Sequence, residues 1–64
     1  MTMATNDKMK TVSRYFDGSR MPALMAKLLD ASQWFQAEPH PEDVWEVTMK
    51  QENEALLTTL WQLQ

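Results

Sequence analysis

The chain has no cysteine, one histidine and one glycine among its 64 residues, and each scarcity excludes something. Without cysteine there is no disulfide framework and no thiolate zinc site, two common supports of very small domains. A lone histidine falls short of the three or four protein ligands, usually Cys or His, that zinc takes, so no metal or other cofactor is expected. No stretch approaches the roughly 18 consecutive apolar residues of a membrane span. The opening MTMATNDKMK also lacks the apolar run of a secretory signal, so the expected setting is cytosolic.

Catalytic groupings are missing too. Ser13, Ser19 and Ser32 have no histidine and acid at a spacing that would activate a nucleophile, and the chain reads as a non-enzyme. His40 stands between Pro39 and Pro41, with Glu42 and Asp43 close behind. That grouping reads as a turn residue or helix cap rather than a ligand set.

What is present in surplus is indole. Trp34, Trp45 and Trp61 are more large aromatic surface than one small core absorbs from a single side, and Trp is far commoner as a binding anchor than as a catalyst. A chain of about 60 residues hides only about 60% of the surface its unfolded form exposes. One domain with a thin core follows, and self-association is the remaining support. The six methionines read mainly as core filler.

Charge is polarised along the chain. Residues 1–27 carry a net +3 and residues 28–64 a net −6, giving the overall −3. The plain reading is two solvated faces; the functional one is steering toward a basic partner surface.

The residues from Asp7 to Phe16 place Met9, Val12 and Phe16 on one helical stripe, with Thr5, Asn6 or Asp7 available as caps. A strand over TVSRYF competes, since β-branched and aromatic residues are enriched there. Asp17-Gly18-Ser19 marks a turn, with Gly18 supplying the left-handed residue that ends helices and Ser19 capping the next one. Beyond it, Met21, Leu24, Met25, Leu28, Ala31 and Phe35 share one helical face, and Trp34 points nearly the opposite way. The two prolines around His40 then force a corner.

Pro41, Glu42 and Asp43 suit the first turn of a third helix, along which Trp45, Met49, Leu56, Leu60 and Leu63 line up. The alternative over VWEVTM is a strand, since Trp45, Val47 and Met49 alternate with Val44, Glu46 and Thr48. Such a strand would pair most easily with its copy in a second subunit.

The expected architecture is therefore all-α: a disordered stretch over residues 1–6 and one domain over 7–64. Its helices span 7–16, 20–37 and 41–63 and form a dimeric helical bundle. The expected role is a non-enzymatic protein-interaction module: a small adaptor, antiactivator or inhibitor of the kind phages and plasmids make. It binds a protein partner, and a second copy of itself, through Trp34, Leu56, Leu57, Leu60, Trp61 and Leu63. The alternative is a dimeric transcriptional regulator whose Lys8, Lys10, Arg14 and Arg20 touch DNA phosphates. An acidic pI of about 4.8 and the lack of any nucleic-acid signature weigh against it.

Overall fold

A computed structural model describes residues 10–63. It overturns the all-α expectation, because the chain folds as α+β, with two helices on one face of a three-stranded antiparallel sheet. In chain order these are β1 (Thr11–Asp17), α1 (Met21–Ala31), β2 (Phe35–His40), β3 (Val44–Lys50) and α2 (Glu54–Gln62). Single 3-10 turns occupy Gly18–Arg20, Pro41–Asp43 and Gln51–Asn53. The sheet order is β1-β3-β2, so the strand formed third takes the centre. β2 and β3 form a hairpin, and β1 docks on the other edge of β3 with Val12 opposite Met49 and Phe16 opposite Trp45.

The expected helix over 7–16 is replaced, within the described residues, by β1, and most of the first half of the expected helix over 41–63 by β3. Both substitutions have one cause. Val12 and Phe16, like Trp45 and Met49, lie four residues apart, and four is both one helical turn and two full strand repeats. The residues between them decide: Thr11-Val12 and Val47-Thr48 are β-branched and lose rotamer freedom in a helix. The strand over VWEVTM pairs within its own chain on both sides, and needs no second subunit to complete its ladder.

The helix expected over 20–37 starts at Met21, with Arg20 rather than Ser19 at its N-cap, and stops at Ala31. Ser32 adopts the left-handed conformation (φ 57°, ψ 34°), and its N–H donates to the Leu29 carbonyl, which closes the last turn. Phe35 then joins the core side as a strand residue. Gly18 does not supply a left-handed residue: the positive φ angles among the described residues belong to Ser32, Glu42 and Asp43. Pro41, Glu42 and Asp43 form the hairpin tip rather than a helix start.

The core is a single cluster: Phe16 from β1, Met21, Leu24 and Leu28 from α1, Val47 and Met49 from β3, and Leu57 and Leu60 from α2. Val12, Met25, Phe35, Ala37, Trp45 and Leu56 close its rim. Strand alternation leaves the other sheet face to polar groups. β1 presents Ser13 and Tyr15 there, β3 presents Glu46 and Thr48, and β2 presents Gln36, Glu38 and His40. Residues 1–6, expected to be disordered, lie outside the described residues, as does Lys8. Among the described residues no helix is long and apolar enough to cross a membrane.

Candidate functional site

No side-chain nitrogen or oxygen among the described residues is buried without a partner, and no charged or polar residue is fully buried. Any site must therefore lie on the surface, where two regions stand out.

The first surrounds the C-terminal helix. Arg14 leaves β1 on the helix side of the sheet, with its guanidinium carbon 5.6 Å from the centre of the Trp61 ring. It also donates to the Ser13 carbonyl at 2.9 Å and to the Thr58 hydroxyl at 3.4 Å, and lies 3.8 Å from the Glu54 carboxylate. Glu54, Thr58 and Trp61 follow one another at helical spacing, so this edge of α2 forms a bracket around one cation. The stacking is worth about 0.5–1 kcal/mol at a surface position, and the exposed ion pair at most about 1 kcal/mol.

The residues expected at an interface separate into three groups. Leu57 and Leu60 are buried in the chain's own core and have no surface to offer a partner. Leu56 is half-buried on the core rim. Trp34, Trp61 and Leu63 remain 41%, 39% and 66% exposed. Sequence reasoning missed Leu29, which is 65% exposed near the end of α1. The N-terminal cations expected on DNA also part company: Lys10 is exposed and Arg20 half-buried, while Arg14 is occupied by α2.

The second region is the open sheet face. Glu38 on β2 lies directly opposite Glu46 on β3. His40, two residues along β2 from Glu38, reaches back so that its Nε2 lies 3.0 Å from Glu46 Oε1. The Tyr15 ring meets the His40 ring edge-on, with centroids 5.7 Å apart and planes at 81°. One donor atom each from Glu38, His40 and Glu46 falls within 4.8 Å of the others. Beside them Ser13 and Thr48 hydroxyls share a 2.7 Å hydrogen bond across β1 and β3. Ser13 is thus tied to another hydroxyl rather than to the histidine.

The sequence places His40 beside Glu42 and Asp43, but the hairpin turns those two into the loop and brings Glu46 to the imidazole. Pairing Glu38 with Glu46 requires knowing the hairpin register, which a helical reading of 41–63 conceals. No family model matches the chain, no curated protein is detectably similar to it, and no solved structure matches it.

Proposed function

We propose that the chain is a non-enzymatic protein-interaction module, an adaptor or inhibitor that docks through apolar side chains its own core leaves uncovered. The observation that carries this reading is the exposure of Leu29, Trp34, Trp61 and Leu63 by 39–66% in a domain with only eight buried apolar residues among those described. Isolated exposed leucines are ordinary. Two half-exposed tryptophans beside two exposed leucines are unusual on so small a body, and large apolar side chains of this kind gain most from a partner.

The flanking charge fits a basic target. Asp30, Glu52 and Glu54 are exposed on the helical side, and the C-terminal part of the chain is strongly acidic. Complementary charge at a rim raises association rates more than it raises affinity. The regulator reading is weaker, because Arg14, one of its expected phosphate contacts, is bracketed by Trp61, Thr58 and Glu54.

The test uses Trp34→Ala and Leu63→Asp, chosen because Trp61 also supports Arg14. With the unmodified chain immobilised, a host protein is retained at fixed stoichiometry. Each variant keeps its circular dichroism spectrum and loses affinity for that protein by about 30-fold or more, the effect of removing an interface anchor. Equal retention by both folded variants removes these residues from the contact and the reading with them.

A further inference from the structure

We propose that Glu38, His40 and Glu46 form a binding site for a divalent transition-metal ion of the zinc class, clamping the β2–β3 hairpin on the open face of the sheet. Three observations converge. The three side chains bring one imidazole nitrogen and two carboxylate oxygens within 4.8 Å of one another, from two adjacent strands. The register sets Glu38 directly opposite Glu46, an arrangement of like charges that costs stability unless a positive group lies between them. Lastly, the His40 ring packs at right angles to the Tyr15 ring with Nε2 turned toward Glu46, so the nitrogen already faces one of the two carboxylates.

The donor set selects the ion. Imidazole suits zinc, copper and nickel, whereas calcium and magnesium prefer oxygen ligands throughout. Zinc bonds of about 2.0–2.2 Å in tetrahedral geometry put neighbouring ligand atoms about 3.4 Å apart. The 3.0 Å contact between His40 Nε2 and Glu46 Oε1 is near that spacing. Glu38 is exposed and turns inward by rotation of its own side-chain torsions. The ion takes the place of the proton between His40 and Glu46. Three protein ligands leave a fourth position for water or for a donor atom from outside.

Because the ligands lie on β2 and β3 alone, binding ties the hairpin stem and raises the stability of the folded state by mass action. The site uses none of Trp34, Trp61 and Leu63, so it does not depend on the protein-interaction reading.

The experiment is a zinc titration of the untagged chain followed by calorimetry, by the ring proton resonances of His40 and by thermal unfolding. Zinc binds at one equivalent, the ring resonances move in step with the heat, and the melting temperature rises. His40→Ala, Glu38→Gln and Glu46→Gln each weaken binding by more than about 100-fold, beyond the loss that follows removal of a mere supporting contact. Their metal-free spectra report whether each stays folded. Glu38→Gln, which removes a repelling charge, keeps the hairpin intact and makes the decisive comparison. Zinc heat without movement of the His40 resonances overturns the proposal. So does binding by folded Glu38→Gln as tight as that of the unmodified chain, which reduces the site to a lone histidine.

Discussion

A methyl group added at Gly18 would run into the carboxylate of Asp43, which reaches across from the tip of the β2–β3 hairpin. The space beside Gly18, rather than a left-handed backbone, is what glycine provides there. Asp43 itself sits at φ 58°, following Glu42 at φ 66°, so both tip residues occupy a region that side chains with a Cβ adopt at some cost. Because the obstruction is the end of an exposed side chain that can swing aside, Gly18→Ala is expected to lower stability by no more than about 1 kcal/mol. Asp43→Gly removes both the obstructing carboxylate and the strained torsion. In a urea-denaturation cycle Gly18→Ala costs less in the Asp43→Gly background than in the unmodified chain. Equal costs in the two backgrounds would mean that Gly18 and Asp43 are not coupled.

Both helices were legible in part, β1 and β3 only as the competing strand readings over TVSRYF and VWEVTM, and β2 not at all. For α1, Met21, Leu24 and Leu28 are buried and Met25 and Ala31 half-buried, matching the apolar face read from their spacing. The error was in length, since Ala31 and Phe35 continue the stripe on paper while the backbone turns away at Ser32. A serine there gives no warning of the kind a glycine would. Replacing it should raise stability: Ser32→Gly removes the cost of a left-handed residue with a Cβ, offset by a floppier unfolded chain. The net gain expected is about 0.5–1 kcal/mol, read as a higher urea midpoint with unchanged slope. No gain would place the end of α1 elsewhere. For the strands, the four-residue spacings in β1 and β3 satisfy both periods. Pro41-Glu42-Asp43 resembles a helix start as closely as a turn. The candidate metal site was illegible for the same reason, because Glu46 reaches His40 only in the hairpin register.

At the scale of the molecule, the expected dimer loses part of its seam, since Leu57 and Leu60 are spent on the chain's own core. Trp34, Trp61 and Leu63 are then the groups a second copy would use. If they do so, sedimentation equilibrium at micromolar concentration shows a mass rising with concentration, and Leu63→Asp returns it to that of one chain. A mass of one chain for the unmodified protein removes the homodimer and leaves these groups to an unlike partner.

The central place of β3 also sets an order for the protein's synthesis. β1 and β2 are never neighbours in the sheet, because β3 lies between them. The chain emerging from a ribosome has made β1, α1 and β2 before any two strands that pair are both present. The first ladder it can form is the local hairpin of β2 with β3. β1 too can pair only once β3 is made, and α2, bringing Leu57 and Leu60, arrives later still. Throughout that interval the apolar face of α1 has no sheet to cover it, and it is then that a nascent chain of this topology depends most on a holding chaperone.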